Sequence, residues 1–249
     1  MCICFIAINQ SVQHPLLLVF NRDEYYRRSA EKLKKWSNEN LYAGTDLQSK
    51  GTWLAADSQG RFAAITHFRD PKNHKAGMRS RGALVPSFLR SGLSPLKFIE
   101  NLQSVSHEYN GFSMILGEKN EVFYYSQKVG VYRKLESGIY GLSNGEMNSD
   151  WPKVKRGIGL LQIVLQKEYS LGNILDIMLD SKLADDTLLP KTGVSYAVEK
   201  ALSSIFVLTP DYGTKTSTLF AVEKNGNLKF TERTFENNSK IFEETILDF

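Results

Sequence analysis

The chain places a cysteine directly after Met1, and an apolar run further on ends in the charged tetrad Asn21-Arg22-Asp23-Glu24. Removal of Met1, which the small side chain at position 2 permits, leaves Cys2 with both a thiol and a free α-amino group. The α-amino pKa is about 7.7 to 8.0 and a thiol's about 8.5, so near neutrality part of the amine is unprotonated and can take the thiol proton. Nucleophile and base then share one residue. On position alone, a small hydrophobe packed in a strand is the commoner use of a free cysteine. The motifs described below favour the nucleophile.

Cys2 and Cys4 are the only cysteines, and they lie too close together in sequence to form a disulfide framework. In a strand they point to one face, because side chains alternate with period two. A Cys-x-Cys pair with no further cysteine does not complete a zinc site, and no Cys-x-x-Cys-His haem attachment sequence occurs. The expected site therefore has no metal ligands and requires no cofactor.

Hydrophobic residues make up 42% and charged residues 23% of 249 positions, a balance that argues for a folded core and against disorder. Nothing resembles a linker rich in Pro, Gly or Ser, so residues 1–249 are read as one domain. The net charge of +4 is spread over short clusters at Arg27-Arg28, Lys32-Lys34-Lys35 and Arg79-Arg81. That pattern lacks the basic stripe with interleaved aromatics of a nucleic-acid binder, yet it accommodates an anionic ligand. The N-terminal sequence has no basic segment of a signal peptide, and no apolar stretch reaches the roughly 18 to 20 residues of a membrane span. A cytoplasmic protein with no integral membrane association is expected.

The elements that must position Cys2 and the tetrad open with a hairpin, Ile3 to Ile8 and Leu16 to Phe20, turning near His14-Pro15. A second hairpin joins Trp53–Ala56 to Phe62–His67 through Asp57-Ser58-Gln59-Gly60. Ser94 caps a helix over Pro95–Val105. Strands follow at Phe112–Leu116, Val122–Ser126, Val131–Lys134 and Gly138–Leu142. Asp150 and Ser170 then cap two helices, from Trp151 to about Lys167 and onward through Leu179. Strands return at Ile205–Leu208, Thr216–Val222 and Leu228–Thr234, the last two hinged by Lys224-Asn225-Gly226-Asn227. Two blocks of antiparallel strands, with helices between and after them, predict an α+β fold: a four-layer αββα sandwich with two sheets face to face.

From Met1-Cys2 and the tetrad, matches continue in order at Gly51-Thr52-Trp53-Leu54, Ala63-Ala64-Ile65-Thr66, Arg69-Asp70-Pro71 and Ser80-Arg81-Gly82. They resume at Tyr140-Gly141-Leu142-Ser143-Asn144, Trp151-Pro152-Lys153 and Tyr212-Gly213-Thr214-Lys215-Thr216. By these motifs the chain resembles the NRDE family, also called the transport and Golgi organisation family. The resemblance implies the αββα sandwich of N-terminal-nucleophile hydrolases. A more distant similarity to bile-salt hydrolases and penicillin acylases implies roles for four catalytic positions: Cys2 as nucleophile, Arg22 and Asp23 holding it, and Asn144 stabilising an oxyanion. Glu24 is an alternative to Asp23 for the acidic role and a ligand-binding candidate.

Two positions depart from the family pattern. His67 stands where Asn is usual after Thr66, which replaces an amide with a group titrating near pH 6.5 at a ligand-binding position. Lys215 stands where Arg is common, reducing a bidentate anion contact to a point charge. Trp53 and Trp151 are read as core anchors, and His14, His74 and His107 as loop histidines with no role. The tetrad is equally readable as a structural ion-pair network, and Asn144 as a turn former beside Gly145. The resemblance implies three functions. The first is acyl transfer from an amide or thioester through Cys2. The second is a carrier or chaperone role for a small apolar-anionic ligand such as haem or acyl-CoA, with haem as cargo. The third, resting on the family name alone, is a trafficking or Golgi-organisation adaptor. The oligomeric state is not legible.

Overall fold

A computed structural model describes residues 2–118 and 121–249. Strands β1 (Cys2–Ile8) and β2 (Leu16–Tyr25) form the opening hairpin. In β1 the even positions Cys2, Cys4, Ile6 and Ile8 enter one apolar layer, and the odd positions Ile3, Phe5 and Ala7 enter another. Both faces of the strand are buried, which explains its almost unbroken apolar sequence.

The remaining strands are β3 (Ala30–Lys35), β4 (Tyr42–Asp46), β5 (Leu54–Ala56), β6 (Phe62–His67), β7 (Phe112–Glu118), β8 (Glu121–Ser126), β9 (Val131–Lys134), β10 (Gly138–Leu142), β11 (Tyr212–Val222), β12 (Leu228–Phe235) and β13 (Phe242–Asp248). Among the described residues one antiparallel sheet runs β10-β1-β2-β11-β12-β13 and the other β3-β4-β5-β6-β7-β8-β9. Their facing sides enclose Phe20, Leu54, Phe62, Ile115, Phe220 and Phe230. Helices α1 (Leu84–Ser91) and α2 (Pro95–Val105) cover the outer face of the second sheet. Helices α3 (Pro152–Leu165) and α4 (Leu171–Ile177) cover that of the first, with α5 (Tyr196–Ala201) following. The four-layer αββα sandwich expected from the sequence is the architecture observed.

Several local expectations need correction. β2 runs five residues beyond Phe20, so the charged tetrad lies inside the strand rather than after it. Ile205–Leu208 is no strand: Ile205, Phe206 and Val207 are buried and Leu208 is exposed, the Asn21 side chain donates to Ile205 O, and Asp180 O accepts from Phe206 N. A short buried apolar run satisfies either geometry, and periodicity cannot separate them. The residue before α3 is Trp151, with no side-chain cap; Asp150 pairs with Lys155 instead. Ser170 does cap α4, in a reciprocal capping box with Asn173. Helices α1 and α5 and strands β3, β4 and β13 were not anticipated. β3 and β13 are mostly exposed and carry little hydrophobic alternation.

Candidate functional site

Antiparallel pairing sets Cys2, the first residue of β1, directly across from Arg22 on β2. Both side chains project between the sheets. There the Arg22 guanidinium lies 4.7 Å from the Trp53 ring centroid and donates through Nη2 to Asp46 Oδ2 at 2.7 Å. Arg28 also donates to Asp46 Oδ2, at 2.8 Å, and the N–H groups of Gln48 and Ser49 donate to Oδ1. Burial alone would raise the Asp46 carboxyl, but these donors outweigh it and hold the pKa below the usual carboxylate range. The tetrad is thus partly an ion-pair network, with a partner in the neighbouring sheet that its own sequence does not reveal.

At this end of the sandwich a cleft of about 380 Å³ opens, lined by Cys2, Arg22, Glu24, Trp53, His67 and Arg81. Segment 74–82 forms its outer wall. Gly51 permits this wall to close: a Cβ there would fall 2.4 Å from the backbone carbon of Gly82, while Thr52 N donates to Gly82 O at 3.0 Å. His74, read from sequence as a loop histidine without a role, also lines the cleft. Trp53 is the core anchor expected, and in addition the platform for Arg22.

The cleft carries mostly positive charge. Arg22 Nη1 is buried and has no hydrogen-bond partner among the described residues. Arg81 donates to Gly111 O, is half-buried and pairs with no carboxylate among the described residues. Burial pushes the Cys2 thiol up, whereas Arg22 and the N–H of Asp23 pull it down without cancelling the effect. A base is therefore needed to generate thiolate near neutrality. The α-amino group that would serve depends on Met1, which lies outside the described residues.

The other sequence candidates sit around this cleft in different ways. Asp23 faces the helical layer, opposite to Arg22 on its strand; it is buried and accepts from Thr214 Oγ1 at 2.7 Å. Burial raises its carboxyl pKa, against the pull of nearby Lys153. Asn144 is buried; its Nδ2 donates to His67 O at 3.0 Å, and neighbouring Ser143 Oγ donates to Cys2 O at 2.9 Å. These bonds tie the end of β10 to β6 and β1 beneath the cleft. Glu24 lines the cleft 3.7 Å from Arg28 and accepts from Tyr25 N.

His67 faces the cleft, but desolvation, with Arg81 and Arg69 adding to it, drives its pKa well below 6.5. The expected titration near pH 6.5 is corrected: the ring is neutral at physiological pH. Lys215 is not part of the cleft lining. It sits at a bulge in β11 and donates to Tyr26 O and Arg28 O at 2.8 and 2.9 Å, so its charge is spent on backbone carbonyls that hold the chain leaving β2. Among the described residues no cluster of His, Cys, Asp or Glu could hold a metal ion, and no helix is long and apolar enough to cross a membrane.

Sequence reasoning missed Asp46, Arg28 and Arg81 as neighbours of Cys2. Arg81 lies in the Ser80-Arg81-Gly82 motif and the Arg79-Arg81 basic cluster, so a signal was present, but neither ties it to Cys2. Asp46 carried no local signal at all.

The profile of the Transport and Golgi organisation 2 family matches residues 1–237. A Transport and Golgi organization protein 2 homolog from Bos taurus is 32% identical over 256 residues, covering 94% of this chain and 92% of its own. The Homo sapiens homolog is 31% identical and the Drosophila melanogaster protein 22%, each with the same coverage. Among solved structures, a mutant conjugated bile acid hydrolase from Clostridium perfringens aligns with a TM-score of 0.47 and 12% identity, covering 100% of this chain and 92% of its own. A Caenorhabditis elegans N-acylethanolamine-hydrolyzing acid amidase ortholog aligns with a TM-score of 0.42 and 10% identity, covering 88% and 92%. Neither structural likeness extends to individual residues.

Proposed function

The chain belongs to the Transport and Golgi organisation 2 family, and from that premise we propose that its cleft binds an anionic acyl compound and cleaves or transfers the acyl group through Cys2. One observation carries the reading: the Cys2 thiol opens onto a cleft in which Arg22 has an unpartnered buried nitrogen and Arg81 pairs with no carboxylate among the described residues. Such a wall attracts an anion and favours the thiolate form of a neighbouring sulfur.

In the proposed reaction, Met1 is removed and the α-amine of Cys2 accepts the thiol proton. The sulfur attacks the carbonyl carbon of an amide or thioester, and the carbonyl electron pair moves to oxygen, where the second amide hydrogen of Asn144 is the proposed donor. Collapse breaks the bond to the leaving amine or thiol, which takes the proton held by the α-ammonium. Water, or a second nucleophile, then releases the acyl group from Cys2.

A second reading, a carrier for acyl-CoA, haem or another apolar-anionic ligand, draws on the net rise of the Cys2 thiol pKa on burial, because a neutral thiol lines a cleft without attacking. Intact mass first establishes whether Cys2 is the N-terminal residue. Processed protein is then incubated with acyl-CoA, N-acyl amide and haem panels. An acyl adduct on Cys2, with product release abolished in Cys2→Ala, is the expected result. Ligand binding retained in Cys2→Ala, with neither adduct nor turnover in the wild type, would replace the enzyme reading with the carrier. Ligation of haem iron by Cys2 thiolate would appear as an absorption shift absent from Cys2→Ala.

A further inference from the structure

Lys153 is the buried charge that the proposed reaction leaves unused. It occupies the first turn of α3, only 3% of its surface is exposed, and its Nζ has no hydrogen-bond partner among the described residues. Each of these features disfavours an ammonium there. Burial removes its water, no acceptor replaces that water, and the N-terminal end of a helix carries partial positive charge. A lysine in such a place is a poor choice for stability, and local rules broken in this way are characteristic of functional positions.

The fold fixes where this charge lies. Gly157, one helical turn after Lys153, lets α3 settle on β1: a Cβ there would fall 1.9 Å from Phe5 Cζ. Val154 packs in the same layer as Ile3 and Phe5. This seating brings the Lys153 ammonium to the helical side of the sheet at the Cys2 end. The charged groups around it are Asp23 from β2, Arg69 from the chain after β6, Cys2 from β1 and Glu199 from α5, and its field also reaches His67 on β6.

We propose that Lys153 is a positioning residue of the Cys2 site, an ammonium set behind the sheet whose field opposes Asp23 and raises the thiolate fraction of Cys2. The inference rests on the reading of Cys2 as the reactive group. Desolvation lowers the Lys153 pKa to about 8, with Asp23 acting against it, so the lysine is still mostly charged at pH 7 and its influence fades above about pH 8.

The test measures iodoacetamide alkylation of Cys2, resolved by peptide mass spectrometry between pH 6 and 8 in processed protein. It reads thiol acidity without any substrate, so failure of the acyl-transfer reading leaves it interpretable. Cys4 does not compete, because it is 1% exposed against 8% for Cys2 and is not part of the cleft lining. Lys153→Met is expected to alkylate about tenfold more slowly at pH 7, the equivalent of about one pH unit in thiolate fraction, and Lys153→Arg to stay within about twofold of wild type. Wild-type rates in folded Lys153→Met would overturn the proposal, as would equal losses in the Met and Arg variants, which indicate packing rather than charge. Should Lys153→Met not fold, Lys153→Met/Asp23→Asn is compared with Asp23→Asn. The double variant is expected to be the slower, and equal rates would overturn the proposal.

Discussion

At the scale of single residues, the cleft depends on charges neutralised across the gap between the sheets. Asp46 accepts from Arg22, Arg28 and two backbone N–H groups. Replacing it with Ala leaves Arg22 buried without its counter-charge, and breaking a buried pair from one side costs about 3–5 kcal/mol. Urea denaturation of Asp46→Ala is expected to show a loss of that order; a loss under about 1 kcal/mol would mean that water reaches Arg22 and screens the pair. His67 makes a separate prediction, about acid. Its folded pKa lies well below 6.5, so the unfolded chain takes up a proton that the native state refuses. The stability contribution of the neutral ring is complete above pH 6.5 and is lost as pH falls below it. His67→Asn should therefore lose less stability than wild type between pH 6.5 and 5, and parallel curves for the two proteins would refute the assignment.

At the scale of elements, the site depends on how closely α3 approaches β1. In Gly157→Ala the added methyl meets the Phe5 ring head-on. Overpacking of this kind costs about 1–3 kcal/mol, which exceeds the gain in helix propensity of roughly 1 kcal/mol. A lowered thermal midpoint is expected, recovered in part by Phe5→Leu. Gly159, two residues along the same helix, has nothing within 4 Å of an added Cβ. Gly159→Ala should raise the midpoint, and if both substitutions moved it in the same direction, α3 would not be seated on Phe5 as described.

At the scale of the whole molecule, the two sheets are joined by a buried carboxyl. Glu232 on β12 is fully buried; it accepts from Leu33 N on β3 at 2.7 Å and from Thr218 Oγ1 on β11 at 2.9 Å. Desolvation raises its pKa from 4.5 to about 7 despite those donors. Between these values the native state keeps a proton that the unfolded chain has released, so stability falls as pH rises through the window, by on the order of 3 kcal/mol in all. Glu232→Gln keeps an acceptor for Leu33 N and cannot ionise. Urea midpoints at pH 5 and pH 8 should differ less for the variant than for wild type, with the variant the more stable at pH 8. An unchanged pH dependence would show that Glu232 is not the group responsible.

The sequence by itself determined the strands and helices whose patterns have local causes. The doubly buried hairpin of Cys4, Ile6 and Leu18 is one example, the helix capped at Ser94 another, and the order of elements implied the αββα layers. It also brought forward Cys2 and Arg22, which neighbouring strands place opposite one another. Only the tertiary structure decided the rest, because the deciding partners lie far apart in the chain. Asp46 reaches Arg22 from the other sheet, Arg81 arrives from the segment before α1, and Lys153 is delivered by a helix seated through one glycine. Burial, too, is a property of the assembled layers. It keeps His67 neutral and raises the Glu232 carboxyl to about 7, and it leaves Lys215 satisfied by backbone carbonyls away from the cleft, outcomes that residue type alone does not contain.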